Sequence, residues 1–94
     1  MADTLVLGTP RPLLVDGRNP FADEVITGGS DLVVAAPDEN GVVLVSVADG
    51  AVDGAVDTIT VDPGSEDVNR SAGSDDVTVS VPVVASTPLV VTLG

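Results

Sequence analysis

The stretch Asp76-Val77-Thr78-Val79-Ser80-Val81-Pro82-Val83 decides the fold class of this chain. Its four valines occupy every second position, whereas Thr78, Ser80 and Pro82 fill the positions between them. A period of two places the valines on one face of a strand, which is typical of a half-buried antiparallel strand. Because proline lacks the N–H that a sheet ladder requires, Pro82 predicts an edge strand or a bend.

The rest of the chain repeats this β pattern in short segments. Turn-forming residues separate the segments; Pro37-Asp38-Glu39-Asn40-Gly41 predicts a hairpin and 21–24 a short turn. No long window combines a helical apolar stripe with the absence of Gly and Pro. The chain is therefore predicted to be all-β, a small β-sandwich or barrel of about 7–8 short, mainly antiparallel strands. The other predicted strands are 4–7, 13–15, 24–27, 32–36, 42–48, 56–61 and 89–93.

A chain of 94 residues is expected to form one small domain. Residues 1–20 contain three prolines and are interpreted either as an extended N-terminal arm, able to add as a strand to a neighbour, or as an ordinary first strand and loop. Residues 21–94 are then a single β domain. The tandem Gly-Ala-Val-Asp of residues 50–57 is interpreted as a local duplication in a loop.

The composition limits both core and partners. Phe21 is the only aromatic residue and there is no Cys, so Val, Leu and Ala must build the core without disulfides. Small domains of this kind often gain stability by oligomerising or docking on a larger body. The net charge of −12 disfavours nucleic acid and anionic membrane as partners. This acidity is expected of a halophilic or a GC-rich source.

Most catalytic chemistry requires residue types that this chain lacks. It contains no His, Lys, Cys or Tyr, which removes the usual bases and nucleophiles. Paired carboxylates could in principle hydrolyse sugars. With 15 acidic residues in the chain, however, some carboxylates lie close together by chance, so such a pair does not indicate a catalytic site. The chain is therefore predicted not to be an enzyme, and no cofactor is expected. No targeting or membrane segment is recognisable, so synthesis in the cytoplasm is expected.

Calcium is the one ligand that the acidic loops could take, because it binds carboxylate and carbonyl oxygens. The alternative is a solvated acidic loop, and no EF-hand spacing is present. A second acidic set lies at Asp49, Asp53 and Asp57. The predicted calcium ligands are Asp62, Glu66, Asp67, Asp75 and Asp76.

The N-terminal region carries the residues predicted to contact a protein partner. Arg11 and Arg18 bracket the apolar residues 13–15, and in so acidic a chain each arginine could anchor a carboxylate. The alternative is a local salt bridge of little energetic weight. The predicted contact residues are Leu5, Leu7, Arg11, Leu13 and Arg18.

A small all-β chain without a catalytic set, carrying Thr4-Leu5-Val6-Leu7 and Pro10-Arg11-Pro12 in a candidate arm, resembles the decoration (cement) proteins of tailed-virus capsids. The resemblance is one of type and involves no motif. It implies a homotrimer on the virion surface that binds between subunits of the major capsid protein and stabilises the head. The alternative is an immunoglobulin-like binding module of a virion tail or cell-surface assembly. A third hypothesis, an enzyme subunit or regulator, has no residue in its favour.

Overall fold

The computed structural model describes residues 3–64, 70–82 and 89–94, and it contains seven strands and no helix within them. The all-β prediction is confirmed. Of the two predicted architectures the structure is a small sandwich, because its two sheets do not close into a barrel. No described segment is a helix that could cross a membrane. The strands are β1 (Asp3–Val6), β2 (Arg11–Leu13), β3 (Val25–Thr27), β4 (Leu32–Val34), β5 (Val43–Val47), β6 (Val56–Asp62) and β7 (Gly73–Ser80).

The larger sheet has four strands in the order β1-β7-β6-β3. Strand β1 runs parallel to β7, and the other neighbours are antiparallel. The alternation predicted for β7 is confirmed, since Val77 and Val79 are buried. Of the two alternatives that Pro82 predicts, the edge strand is wrong, because β7 lies between β1 and β6. The strand ends at Ser80, so Pro82 lies beyond the ladder and its missing N–H costs β7 no sheet hydrogen bond. Val83 lies outside the described residues.

The smaller sheet has three strands in the order β2-β5-β4, all antiparallel. Strands β4 and β5 form the predicted hairpin. Its turn is held by the Asp38 carboxylate, whose Oδ1 accepts hydrogen bonds from the N–H groups of Asn40 (2.8 Å) and Val42 (2.9 Å). Gly41 completes the turn with φ of 80°, a conformation that glycine adopts without a steric penalty.

The core lies between the two sheets and is built from aliphatic side chains, as the composition predicts. Strands β5 and β7 contribute most of it, because each alternates inward valines with outward residues. Val79 is fully buried at the centre of the larger sheet. The buried apolar residues are Leu5, Leu32, Val43, Val45, Val47, Ile59, Val77 and Val79.

Two predicted strands differ from the structure. The segment predicted at 13–15 begins two residues earlier, at Arg11, and Val15 instead forms an isolated bridge with Arg18. Residues 89–93 form no strand and are exposed, although their composition is β-prone. Propensity alone cannot form a strand, since a strand needs a neighbour for its backbone hydrogen bonds.

The candidate arm contributes to both sheets. Strand β1 pairs with β7, and β2 pairs with β5, so residues 3–13 pass from one sheet to the other. The division into residues 1–20 and 21–94 stays a prediction.

Gly29 lies against the carboxylate of Asp57, which organises the connection between β3 and β4. Asp57 Oδ2 accepts a hydrogen bond from the Asp31 N–H at 3.0 Å, and a Cβ on Gly29 would overlap the same carboxylate. We expect Gly29→Ala and Asp57→Ala each to lower the free energy of unfolding by about 1–2 kcal/mol. In the double variant the two losses are expected not to add, because the clash and the bond involve one carboxylate. Urea denaturation measures this; additive losses would contradict the assignment.

Candidate assembly surface and inter-sheet cleft

The two sheets separate at one end of the sandwich and leave a cleft of about 480 Å³. The cleft lies at the end where β1 and β7 begin. At this end, the positions of β1 and β7 that face the smaller sheet are Asp3, Gly73 and Asp75, and none of them provides an aliphatic side chain to fill the space. Apolar residues line the deeper part of the cleft: Leu5, Leu13, Val45, Ile59, Val61 and Val77.

Two of the three arginines of the chain also line this cleft. Arg70 forms an ion pair with Asp16 at 2.5 Å, and both side chains are about half exposed, so the pair adds little stability. Arg11 reaches across from β2 and donates a hydrogen bond from Nη1 to the Thr4 carbonyl oxygen of β1, at 3.2 Å. β1 and β2 are edge strands of different sheets, so this contact bridges the two sheets at the cleft.

Asp3 and Asp75 form a pair of carboxylates in the cleft. Their side chains share a hydrogen bond, and this bond, partial burial and the charge of Asp3 all raise the pKa of Asp75 above its ordinary value. Two carboxylates can share a hydrogen bond only when one of them holds a proton. The pair therefore repels at neutral pH and becomes favourable in acid.

Arg18, Phe21 and Glu24 form a compact cluster beside the turn that precedes β3. The Arg18 guanidinium lies 3.5 Å from the centroid of the Phe21 ring and donates to both oxygens of Glu24, at 2.9 and 3.3 Å. The Phe21 N–H donates to Glu24 Oε1, and the Glu24 N–H donates to the Phe21 carbonyl, which confirms the predicted turn. The hydrogen bonds from Arg18 chiefly hold the pKa of Glu24 below its usual range.

The five predicted contact residues lie in different environments. Leu5 is 4% exposed and belongs to the core, and Leu13 packs against that core. Leu7 and Arg11 are exposed, whereas Arg18 is engaged with Glu24. The structure therefore does not bring these five residues together on one surface.

The predicted calcium ligands are also not brought together where the structure describes them. Asp75 and Asp76 are neighbours on β7 and so point to opposite faces of the sheet; Asp76 accepts a hydrogen bond from the Thr58 hydroxyl at 3.0 Å. Asp62 is exposed at the end of β6, and Glu66 and Asp67 lie outside the described residues. Within residues 3–64, 70–82 and 89–94, no three acidic side chains group as metal ligands would.

The outer faces of the two sheets differ in chemistry. The outer face of the larger sheet carries mainly hydroxyl groups, whereas that of the smaller sheet is apolar. On the larger sheet the register places the outward residues Thr4, Val6, Val25, Thr27, Val56, Thr58, Thr60, Asp62, Ser74, Asp76, Thr78 and Ser80. The outer face of the smaller sheet carries Ser46 and four apolar residues, Pro12, Val33, Ala35 and Leu44, which form the apolar outer face; all four are exposed, with Val33 at 49% and Leu44 at 42%.

A second exposed apolar feature is the segment 89–93. Leu89, Val90, Val91 and Leu93 are 82–98% exposed. The sequence signal for this segment was its apolar composition, but composition does not distinguish a buried strand from an exposed one. The apolar outer face also has a signal in the sequence. Val33 and Leu44 are apolar at positions of β4 and β5 that a strand with one buried face would fill with polar residues.

Comparisons with known proteins yield no relative. No family model matches the chain, and neither the curated proteins nor the solved structures contain a match.

Replacing Glu24 by Gln is expected to lower the free energy of unfolding by about 2 kcal/mol at neutral pH. The Glu24 side chain is only 2% exposed. The change removes the negative charge of a carboxylate that accepts hydrogen bonds from Arg18 and from the Phe21 N–H. A lowered pKa contributes stability that is present above the ordinary value of 4.5 and is lost as the pH falls through the lowered value. Thermal denaturation should therefore show the difference between variant and wild type shrinking in acid; a pH-independent difference would contradict it.

Replacing Asp75 by Asn is expected to stabilise the fold at neutral pH, whereas Glu24→Gln destabilises it. The amide can keep a hydrogen bond to Asp3 without a second charge, so the melting temperature should rise at neutral pH. A raised pKa gives the native state more bound protons, so the wild type recovers stability as the pH falls through that value. The advantage of the variant should vanish in acid. Equal melting temperatures of the variant and the wild type at neutral pH would contradict this.

Proposed function

We propose that this chain is a structural assembly protein, a capsid decoration protein that binds between subunits of a major capsid protein and stabilises the virion head. The observation that carries the proposal is the apolar outer face formed by Pro12, Val33, Ala35 and Leu44. Contiguous exposed apolar side chains are typical of protein contact sites, and here they predominate on the outer face of the smaller sheet, whereas hydroxyl groups predominate on that of the larger sheet.

The charge distribution supports a protein partner reached through that face. The chain carries a net charge of −12, so a contact made through its carboxylates would meet repulsion from any acidic surface. The four residues of the apolar outer face are uncharged and avoid this cost. The polar sheet would then face solvent, which fits a protein on the outside of a particle. The homotrimer that the resemblance implies is part of the same proposal.

The residue types present support a structural role over a catalytic one. The cleft is lined by carboxylates, arginines and aliphatic side chains, and the chain contains no His, Lys, Cys or Tyr that could act there as base or nucleophile.

A binding module of the immunoglobulin-like type is the second candidate, and the cleft favours it. A volume of about 480 Å³ falls within the range of ordinary ligand sites, and apolar residues line its deeper part. This candidate predicts a monomer that binds a glycan or protein surface through the cleft. The assembly role instead predicts a particle held through the apolar outer face.

The mass of the native particle that contains the chain tests the proposal. A tagged wild-type chain, produced in the organism that encodes it, is expected to co-sediment with megadalton particles composed mainly of a shell-forming protein. Val33→Asp, on the apolar outer face and opposite Ser46, should abolish co-sedimentation. Val56→Asp is the matched control, because Val56 is 62% exposed on the polar sheet and opposite Thr78. A wild-type chain that sediments only as a free protein would refute the role.

A further inference from the structure

We propose that Asn40 is a site of spontaneous deamidation, and that the turn between β4 and β5 controls the rate of this reaction. The reacting unit is the dipeptide Asn40-Gly41, whose asparagine is exposed to water. The inference concerns a covalent change of the hairpin and does not depend on the proposed assembly role.

The reaction needs only the dipeptide, hydroxide and water. The Gly41 backbone nitrogen gives its proton to hydroxide and attacks Cγ of Asn40. The new N–Cγ bond closes a succinimide ring, and Nδ2 takes a proton from water and leaves as ammonia. Water then hydrolyses the ring. Cleavage of the N–Cγ bond gives aspartate, whereas cleavage of the bond between the nitrogen and the main-chain carbonyl carbon gives isoaspartate, in which the chain runs through the side chain.

The sequence distinguishes Asn40 from the other asparagines, Asn19 and Asn69. Glycine follows Asn40 and has no Cβ, so nothing on the next α-carbon hinders the attack of its nitrogen. Pro20 follows Asn19 and has no N–H to lose, which closes this route there. Arg70 follows Asn69, and a large side chain at that position slows the attack. Asn40 is therefore the asparagine that should react first.

The folded turn restrains the nitrogen that must attack. The Gly41 N–H donates a hydrogen bond to the Asp38 carbonyl oxygen at 3.0 Å, so the proton that must leave is engaged within the turn. Asp38 Oδ1 accepts hydrogen bonds from the N–H groups of Asn40 and Val42, at 2.8 and 2.9 Å, which fixes the backbone on both sides of Gly41. Attack therefore requires the turn to open, and the rate of deamidation follows the frequency of that local opening.

The modification changes both the charge and the main chain of the hairpin. Either product adds a carboxylate beside Asp38 and Glu39, in a chain whose net charge is already −12. Isoaspartate also adds a carbon atom to the main chain, so the turn no longer matches the register of its two strands. These strands carry Val45 of the core and Val33 and Leu44 of the apolar outer face. Isoaspartate therefore affects the packing of the sandwich and the surface on its smaller sheet.

Peptide mapping by mass spectrometry measures the reaction in the full chain. Purified protein is kept in mildly alkaline buffer, with a parallel sample in guanidinium chloride, and both are digested at intervals. We expect Asn40 to convert to aspartate and isoaspartate while Asn19 stays unchanged. The folded chain should convert at least about fivefold more slowly than the denatured chain, because its turn is closed most of the time. No conversion of Asn40 in the folded chain, or equal rates in the two samples, would overturn the proposal.

Asp38→Ala tests whether the turn controls the rate. The variant loses both side-chain hydrogen bonds of the turn, so Asn40 should deamidate about fivefold faster in the folded chain and at an unchanged rate in guanidinium chloride. Asp53→Ala is the matched control, because it also removes a carboxylate that accepts a backbone hydrogen bond, from the Val81 N–H, but lies outside this turn. Equal acceleration by the two variants, or an acceleration that persists in denaturant, would overturn control by the turn.

Asn40→Asp separates the added charge from the altered main chain. This variant carries the charge of the products on an intact backbone, so its melting temperature should lie near that of the wild type. The isoaspartate form, separated from aged wild-type protein by chromatography, should melt at a lower temperature. Equal melting temperatures of the variant and the isoaspartate form would overturn the expected distortion of the hairpin.

Discussion

The fold depends on one constraint, that two sheets must bury a core made almost entirely of short aliphatic side chains. Alternating valines on β5 and β7 supply most of that core, and Val79 is fully buried at its centre. Short side chains fill the space between sheets only where both sheets contribute them. At the end where Asp3 and Asp75 replace them, the sheets separate and the cleft appears. The core and the cleft thus have the same cause.

Sequence patterns predict the local structure of each segment better than they predict which strands lie beside one another in a sheet. The alternation of residues 76–83 identified the inner face of β7, and the residues 37–41 identified the hairpin, because both signals are local. Periodicity does not report which strands lie on either side, so of the two predictions from Pro82, an edge strand or a bend, the edge strand is wrong. For the same reason, the sequence does not show which apolar residues form the apolar outer face. Leu5 and Leu44 are equally apolar in sequence, yet Leu5 packs in the core and Leu44 lies on the outer face.

Several carboxylates have structural roles that the net charge alone conceals. Asp38 holds the turn between β4 and β5, Asp57 holds the connection before β4, and Asp53 accepts a hydrogen bond from the Val81 N–H at 2.9 Å. Each satisfies a backbone N–H where no ladder partner is described for it. Part of the acidity is therefore an architectural feature of the loops. The sequence predicts only a solvated surface or a calcium site for these carboxylates, because both predictions start from charge.

The parallel pairing of β1 with β7 has a consequence for how the chain reaches this structure. Asp3 lies opposite Val77, 74 positions away along the chain, and Leu5 enters the core only through that pairing. Closing so long a loop is slow, so the local β4–β5 and β6–β7 contacts are expected to form first. During synthesis, β1 would leave the ribosome long before its neighbour exists. An apolar strand that must wait in this way is exposed to wrong pairing, and the rate of translation then becomes a factor in the yield of folded protein.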